Sequence, residues 1–377
     1  MTTLNYSTQL IEEDDIAGVI EVLKSPYLTQ GKKVEEFEKA LCEYTGTKHA
    51  ITFNSATSAL FGAYSACGIG EDDEIITSPI SFVATSNMFI TLGAKPIWCD
   101  VKLDGNIDEK QIEKLITPKT KAIVVVDFGG KPVEVQKISL IAKKHNLFLI
   151  DDASHALGSS VDGKKIGSFA DMSVFSFHAI KPITTGEGGA VVTDDDEYAE
   201  KLRLIRSHGM VKKALWNSDI LSLGYNFRMT EIAASLGVTQ MKKLDRFIKV
   251  RNEIASYYDE RFKTQKLFLT QKIEPNQVSS RHLYPIILNP ELQCTKEDIF
   301  VELQESGLGV QVHYKPIYQN SFYKEKFGEL SLPVANDFYR SEISLPCHQQ
   351  MSLEDAKFVA DRFLEIIDKY SYRGCSF

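Results

Sequence analysis

The chain has 377 residues, a length at which one hydrophobic core has usually stopped growing, so two domains of unequal size are expected. Hydrophobic residues make up 43% and charged residues 25%, values that exclude disordered and fibrous proteins. With 51 acidic against 43 basic residues, the formal net charge of -8 has the wrong sign for a protein that binds nucleic acid through its overall field. An anionic ligand would therefore be held locally, by backbone N–H groups and a few cations.

Membrane insertion and metal binding are also not indicated. The sequence has no run of eighteen apolar residues, and no basic stretch followed by an apolar run at its start. Six cysteines are scattered without a CxxC pair or a metal-like pairing with histidine. We therefore expect reduced thiols, no disulfide, no metal site and a cytoplasmic protein.

Seven short apolar runs recur along the first half of the chain and predict one large sheet. They are HAITF (49–53), DEIITS (73–78), KPIWCDV (95–101), KAIVVVD (121–127), LFLIDD (147–152), MSVFSF (172–177) and GGAVVT (188–193). Stretches with helical spacing lie between them, as in TSALFGAYSACG after the first run. This alternation predicts an α/β fold whose mostly parallel sheet is covered on both faces.

The pattern changes after residue 230. Apolar residues at helical intervals predict one long helix from Thr230 to about Phe262 that leaves the first domain. Beyond it, SRHLYPIILN and GVQVHYKPI are typical of strands, whereas CTKEDIFVELQESG and LEDAKFVADRFLEII are typical of helices. The last third of the chain is therefore expected to form a smaller α+β domain.

The segment Asn54-Ser55-Ala56-Thr57-Ser58 places small polar residues where the first predicted strand gives way to a helix. Free backbone N–H groups and the positive end of the helix dipole stabilise a phosphate at such a turn. Serine and threonine at a helix start are also ordinary N-caps, and that alternative stays open.

The pair Asp151-Asp152 follows the apolar run LFLI directly. Carboxylates at the carboxyl end of a parallel strand face the crevice in which α/β proteins bind ligands. One of them could keep a ring nitrogen protonated, as an electron-sink cofactor requires, although a pair of helix-capping acids would have the same pattern.

Lys181 lies between the last two predicted strands, in the segment SFHAIKPITTGEGG. A lysine enclosed in such a loop loses its proton more readily and can then attack an aldehyde. The alternative is an ordinary solvated lysine.

The stretches NSATSAL, DDASHALGS, SFHAIKPITTGEGGAVV and NFRMTEIAASLG (226–237) together resemble the DegT/StrS-type sugar-nucleotide aminotransferases. These belong to the aspartate-aminotransferase superfamily of pyridoxal-phosphate (PLP) enzymes. The resemblance runs in order from SPYLTQGKKVEEFEKAL (25–41) to VHYKPIY (312–318). It implies PLP fold type I, with an N-terminal arm (1–12), a large PLP-binding domain (13–245) with a seven-stranded mostly parallel sheet, and a small C-terminal domain (246–377).

The resemblance also assigns cofactor-binding positions. Lys181 matches the lysine that bonds to the cofactor and shuttles the proton, and Asp152 matches the carboxylate that faces the pyridine nitrogen. Phe82 matches the aromatic residue stacked on the ring, and His155 matches a contact on the other side. Ala56, Thr57 and Ser176 match the phosphate cradle, although the position of Ala56 is usually glycine in the family.

Further positions point to two chains in one site. Asn226 matches a residue that reaches the phosphate of the neighbouring subunit's cofactor, which implies a homodimer with shared active sites. The positions that match the sugar-nucleotide site are Tyr6, Pro26, Tyr27, Leu28, Thr29, Arg228, His313, Tyr314 and Lys315. Arg228 and Lys315 are candidate cations for a diphosphate.

The reaction implied by the resemblance is a two-stage transamination. L-glutamate leaves its amino group on the cofactor, with pyridoxamine phosphate as the intermediate, and the group then passes to a UDP-linked keto-sugar. The segments ISFVATSNM, FHAIKPIT and VHYKPIYQ are most similar to members that aminate C4 of a 4-keto-6-deoxy-N-acetylhexosamine in pseudaminic acid biosynthesis. The expected substrate is UDP-2-acetamido-2,6-dideoxy-beta-L-arabino-hex-4-ulose.

Four alternatives share part of this pattern. A relative that acts on another keto-sugar nucleotide would have the same motifs. A sugar dehydratase of the same fold has histidine where this chain has Lys181, and a non-catalytic regulator would be expected to have lost the lysine, the acid or the phosphate cradle. A nicotinamide oxidoreductase would need a GxGxxG turn after its first strand, and this sequence has none there.

Overall fold

The computed structural model describes residues 4–371. Its strands are β1 (Leu4–Asn5), β2 (His49–Phe53), β3 (Glu74–Thr77), β4 (Lys95–Trp98), β5 (Thr120–Val126), β6 (Phe148–Asp152), β7 (Ser160–Val161), β8 (Lys164–Lys165), β9 (Met172–Ser176), β10 (Gly189–Thr193), β11 (Met210–Ala214), β12 (Asn217–Ile220), β13 (Phe268–Thr270), β14 (Gln277–Val278), β15 (Tyr284–Leu288), β16 (Leu308–Gly309) and β17 (Glu342–Leu345). Its helices are α1 (Glu13–Leu23), α2 (Lys32–Thr45), α3 (Ala56–Ala66), α4 (Ala84–Thr91), α5 (Glu109–Ile112), α6 (Val135–Lys144), α7 (Asp196–Arg206), α8 (Glu231–Met241), α9 (Leu244–Phe262), α10 (Pro290–Gln293), α11 (Lys296–Glu305), α12 (Ser321–Phe327), α13 (Pro333–Ser341) and α14 (Leu353–Ser371), with short 3-10 turns at Glu113–Leu115, Phe128–Gly130 and Ile317–Gln319.

One seven-stranded sheet organises the first part of the chain, in the order β2-β10-β9-β6-β5-β3-β4. Each of the seven predicted apolar runs supplies one of its strands. Only β10 runs antiparallel to its neighbours, so the prediction of a mostly parallel sheet is confirmed. The carboxyl ends of β5, β6 and β9 meet at one edge, which is where α/β sheets bind ligands.

Apolar clusters cover both faces of this sheet. One cluster packs Phe37 and Ile138 beneath it, and another packs Leu60 and Phe89 on the opposite face. A separate cluster begins at Ile254 and contains the strands and helices that follow. Core membership changes within α9 between Ile248 and Ile254, a few residues beyond the predicted domain division at residues 245 and 246, which stays a prediction.

Two predicted elements are wrong in extent. The single long helix is in fact α8 and α9, since the Lys243 N–H bonds to the carbonyl of Gln240, three residues back, and closes the last turn of α8. The Lys243 ammonium lies 2.5 Å from Asp14 and 2.7 Å from Asp15, so these ion pairs to α1 favour a break that the apolar pattern does not reveal.

The strand predicted over residues 309–317 shrinks to β16 and one isolated bridge from Gln311 to Ser344. The backbone N–H of His313 donates to the Glu342 carboxylate at 2.6 Å instead of to another strand. A side chain thus takes the place of a ladder hydrogen bond, and the chain stays irregular where it enters the site.

The N-terminal arm lies against both parts of the molecule. β1 pairs in parallel with β16, and the carbonyl of Tyr6 accepts a hydrogen bond from the Cys347 N–H. The Ser7 hydroxyl donates to the carbonyl of Ile180 at 2.9 Å. The arm therefore reaches the peptide immediately before Lys181.

The cysteines only partly follow the expectation of reduced thiols. Cys42, Cys67, Cys99 and Cys347 are free. Cys294 is disulfide-bonded, so the expectation is wrong there; the sequence pattern offered no pairing signal. Within residues 4–371, no helix is both long and apolar enough to cross a membrane. The cytoplasmic location stays a prediction.

Candidate active site

A cavity of about 450 Å³ opens at the carboxyl edge of the large sheet. Ten of the predicted site residues line it: Tyr6, Ala56, Thr57, Phe82, Asp152, His155, Ser176, Lys181, His313 and Tyr314. They come from the arm, the large sheet and the segment before β17, which are far apart in sequence. The fold thus brings the Ala56-Thr57 turn, Asp152, Lys181 and the pair His313-Tyr314 to one cavity.

The N-terminus of α3 forms one wall. Ser55 caps the helix by accepting the Ser58 N–H, while the N–H groups of Ala56 and Thr57 precede the first intrahelical bond. Opposite them, Ser176 Oγ accepts the His178 N–H at 3.4 Å, so its own proton is free for donation. These donors can hold a phosphate. The same turn therefore contains both the Ser55 cap and the N–H groups that can bind an anion.

Asp152 ends β6 and is 4% exposed. Its Oδ2 accepts the Thr85 hydroxyl at 2.6 Å and its Oδ1 accepts the Ser154 hydroxyl at 2.5 Å. Two hydroxyl donors orient this carboxylate toward the cavity. Its neighbour Asp151 is not among the cavity-lining residues, and burial, followed by repulsion from Asp127 and Asp152, raises the pKa of Asp151 well above its usual range.

Lys181 lies in the connection between β9 and β10. Burial lowers the pKa of its ammonium to about 7; the Asp152 charge opposes this shift and the Arg251 charge adds to it. Its Nζ lies 3.4 Å from His282 Nε2. Near neutral pH, Lys181 can therefore act both as a nucleophile and as a proton carrier.

Three buried histidines surround this lysine: His155, His282 and His313. Burial lowers the pKa of each ring, to about 3 for His313, so they are neutral at physiological pH. His155 Nδ1 accepts the Gly129 N–H at 3.3 Å, which places the ring proton on Nε2, 3.3 Å from the Tyr314 hydroxyl. The cluster is polar but carries no positive charge that would compete with that of Lys181.

Phe82 is 60% exposed although it lines the cavity, and its ring centroid lies 6.5 Å from that of Tyr314. A ring in this position presents an aromatic surface to a ligand. Its stacking role stays a prediction.

The remaining predicted residues do not line this cavity. They are Pro26, Tyr27, Leu28, Thr29, Asn226, Arg228 and Lys315. Thr29 forms a bridge with Thr230, and the Leu28 carbonyl accepts the Glu231 N–H, so residues 26–29 lie beside the segment that contains Asn226 and Arg228. Lys315 is exposed at the end of the irregular segment.

Two residues beside the reacting groups were missed by the sequence analysis. Thr85 supplies a hydroxyl to Asp152, and His282 lies against Lys181. Thr85 stands within the quoted stretch ISFVATSNM, and His282 stands at the start of a predicted strand. Neither position carries a signal of its own, because only the fold brings it to the site.

The hydrogen-bond donors and charged groups of the cavity fit PLP. A Cβ built on Gly189 would lie 2.6 Å from Ala56 N and Cα, so β10 approaches the α3 turn as closely as glycine allows. Anion-binding N–H groups, an oriented carboxylate and a half-buried lysine line one cavity. These are the groups that a phosphate, a basic ring nitrogen and an aldehyde require.

Comparison with known proteins agrees with this geometry. The DegT/DnrJ/EryC1/StrS aminotransferase family model matches residues 9–364. The UDP-4-amino-4,6-dideoxy-N-acetyl-beta-L-altrosamine transaminase of Campylobacter jejuni subsp. jejuni serotype O:23/36 (strain 81-176) is 54% identical over 375 residues, which cover 99% of this chain and 100% of that protein.

Solved structures show the same fold. Helicobacter pylori PseC, an aminotransferase involved in the biosynthesis of pseudoaminic acid, matches with a TM-score of 0.96 and 48% identity over 98% of this chain and 100% of that one. The PLP form of a putative sugar aminotransferase from Streptococcus pneumoniae matches with a TM-score of 0.93 and 30% identity, over 98% of this chain and 99% of that one. The chain therefore belongs to the DegT/DnrJ/EryC1/StrS aminotransferase family and is a PLP-dependent transaminase.

Proposed function

We propose that this protein transfers the amino group of L-glutamate to C4 of a UDP-linked 4-keto-6-deoxy-N-acetylhexosamine. The expected substrate is UDP-2-acetamido-2,6-dideoxy-beta-L-arabino-hex-4-ulose, in pseudaminic acid biosynthesis. The observation that carries the proposal is a cavity with both Lys181 and Asp152, in a chain 54% and 48% identical to two proteins named as the altrosamine transaminase.

Different side chains of the cavity bind different parts of the cofactor. When bound, PLP supplies an aldehyde that takes up the amino group and a ring that stabilises negative charge. Asp152, oriented by Thr85 and Ser154, would hold a proton on the ring nitrogen. The α3 turn and Ser176 would hold the phosphate, and Phe82 would offer an aromatic surface to the ring.

Lys181 Nζ moves the proton in both halves of the reaction. Its pKa of about 7 means that the neutral and the charged forms are both populated at working pH. The same nitrogen can therefore remove a proton from the amino donor and return one to the sugar, with pyridoxamine phosphate as the form of the cofactor between the halves. His155 and Tyr314 enclose this side of the cavity.

We also propose that two chains build each site. Asn226 and Arg228 lie beside residues 26–29 on the surface, outside the cavity of their own chain. The neighbouring β11–β12 hairpin exposes Leu215 at 94% and Trp216 at 87%, an apolar surface that a partner subunit would cover. In a homodimer this surface would reach the partner's cavity, and Arg228 and Lys315 would bind the diphosphate.

The visible absorption band of the bound cofactor tests the proposal. Excess L-glutamate should remove this band, and the UDP-linked 4-keto-sugar should restore it with formation of the 4-amino sugar. Lys181→Ala should bind cofactor without the band that depends on the lysine. A band that glutamate leaves unchanged would contradict the donor, and a band that returns equally well with another keto-sugar nucleotide would contradict the substrate.

A further inference from the structure

We propose that Glu342, acting through Ser344, fixes the ring proton of His313 on Nδ1 and so presents a bare Nε2 to the cavity as an acceptor for a hydrogen-bond donor of the sugar. The inference rests on the proposed function, because it assigns His313 to the keto-sugar. Glu342 and Ser344 are positioning residues, since they act on the substrate through His313.

A buried chain of hydrogen bonds carries the inference. Glu342 and Ser344 are both 0% exposed on β17, and Glu342 Oε1 accepts the Ser344 hydroxyl at 2.5 Å. Glu342 Oε2 accepts the backbone N–H of His313 at 2.6 Å. Ser344 Oγ lies 2.9 Å from His313 Nδ1, so both ends of the carboxylate act on the same histidine.

The direction of each bond follows from the number of protons available. An ionised carboxylate can only accept, so the single Ser344 proton points to Glu342. Ser344 Oγ must then accept from His313, which requires the proton on Nδ1 and leaves Nε2 bare. Burial raises the pKa of Glu342 to about 7, so the carboxylate is mostly ionised at pH 8, where the test is made.

The bare nitrogen belongs to the active site. His313 lines the cavity and packs against Tyr6, with ring centroids 5.4 Å apart, and in residues 4–371 no group hydrogen-bonds to its Nε2. A bare Nε2 accepts a hydrogen bond from a sugar hydroxyl or amide, and repels a carbonyl oxygen. His155 has the opposite tautomer in the same cluster, so the site contains one histidine donor and one histidine acceptor.

Glu342→Gln should reverse the donor and acceptor roles in this series of hydrogen bonds without changing the shape of the side chain. The backbone N–H of His313 still needs an acceptor, so the amide oxygen stays there and the amide NH2 turns to Ser344. Ser344 then donates to His313 Nδ1, and the ring proton moves to Nε2. The His313 Nε2–H would then face the hydrogen-bond donor of the sugar. We therefore expect kcat/KM for the keto-sugar to fall about tenfold.

The test is nitrogen NMR on holoenzyme with ¹⁵N-labelled histidine at pH 8, because protonated and bare ring nitrogens differ widely in chemical shift. The chain has eight histidines, and the His313 signals are assigned by their loss in His313→Gln. We expect Nδ1–H in the wild type and Nε2–H in Glu342→Gln. Ser344→Ala, the second variant, should lose the single tautomer, whereas Ser341→Ala, a buried hydroxyl at the end of α13, should keep it.

Each result decides a separate point. Nε2–H in the wild type, or an unchanged tautomer in Glu342→Gln and Ser344→Ala, would overturn the role of Glu342. A switched tautomer with unchanged sugar kinetics would overturn the role of His313 as acceptor. The response of the cofactor band to glutamate should stay within about twofold of the wild type, since the donor half does not use this nitrogen. Failure of the proposed function would instead leave the wild type inactive with the keto-sugar, whatever the tautomer of His313.

Discussion

At the scale of single residues, the chemistry depends on a lysine that loses its proton far below the usual range. Burial lowers the pKa of Lys181 to about 7, and only the neutral amine attacks an aldehyde. The rate at which apoprotein captures PLP should therefore rise through pH 7 and level off above about pH 8. Appearance of the visible band in stopped-flow mixing measures this rate.

The matching control is Lys181→Ala, which should show no band at any pH. An ordinary solvated lysine would give a rate that still increases above about pH 9. Such a profile in the wild type would contradict the lowered pKa of Lys181.

Amide substitutions at Asp152 and Asp151 distinguish an effect of charge from an effect of packing, because the two residues are adjacent in β6 and both are buried. Asp152→Asn removes the carboxylate that Thr85 and Ser154 orient, so turnover should fall about 100- to 1000-fold, far more than cofactor affinity. Burial raises the pKa of Asp151 well above its usual range and its side chain lines no part of the cavity, so its amide variant should keep activity within about threefold. Equal losses in steady-state kinetics would mean that the two acids serve only the fold.

Much of the cavity could be predicted from sequence, because Lys181, Asp152 and the Ala56-Thr57 turn each occur in a local pattern with a chemical meaning. Thr85 and Glu342 have no such pattern. Thr85 is 67 residues from Asp152, and Glu342 is 29 residues from His313. Their partners depend on how α4 and β17 pack, which no local spacing describes.

At the scale of elements, the close approach of β10 to the start of α3 holds the phosphate site in place. Gly189→Ala would put a methyl group 2.6 Å from Ala56 N and 2.7 Å from Ser55 C, so the turn must shift. We expect about 1–3 kcal/mol lower stability and weaker cofactor binding. Thermal unfolding of apoprotein and titration with PLP measure the two effects.

Gly70→Ala is the control, since a Cβ there meets nothing within 4 Å and no positive φ is involved. It should leave both quantities nearly unchanged. If Gly189→Ala bound PLP as well as Gly70→Ala does, the α3 turn would not be the phosphate site.

The elements themselves show where sequence patterns are reliable. β5 and β6 were predicted closely because strands buried on both faces are continuous apolar runs. The break at Lys243 and the irregular segment around His313 were not predicted. In both places a buried carboxylate at a distant position, Asp15 or Glu342, decides the backbone path.

At the scale of the whole molecule, the predicted site residues that lie outside the Lys181 cavity of their own chain argue for a shared site. Asn226 is exposed, forms a backbone bridge with Ser207 and lies outside the Lys181 cavity, so no contact within residues 4–371 of its own chain explains a role in cofactor binding. If it acts on the partner's cofactor, Asn226→Ala should weaken PLP binding in the homodimer, although Asn226 does not touch Lys181 of its own chain.

A heterodimer of Lys181→Ala and Asn226→Ala chains tests this directly. One of its sites would combine both defects, while the other would combine Lys181 of one chain with Asn226 of its partner and be intact. Heterodimers isolated through two different affinity tags should therefore have about half the wild-type activity, above either variant alone. If Asn226 acted on its own chain, each site would have one defect, and activity would not exceed that of one Asn226→Ala site. The activity of the heterodimer thus shows whether Asn226 serves the partner's site or the site of its own chain, and the test does not depend on knowing where the second chain lies.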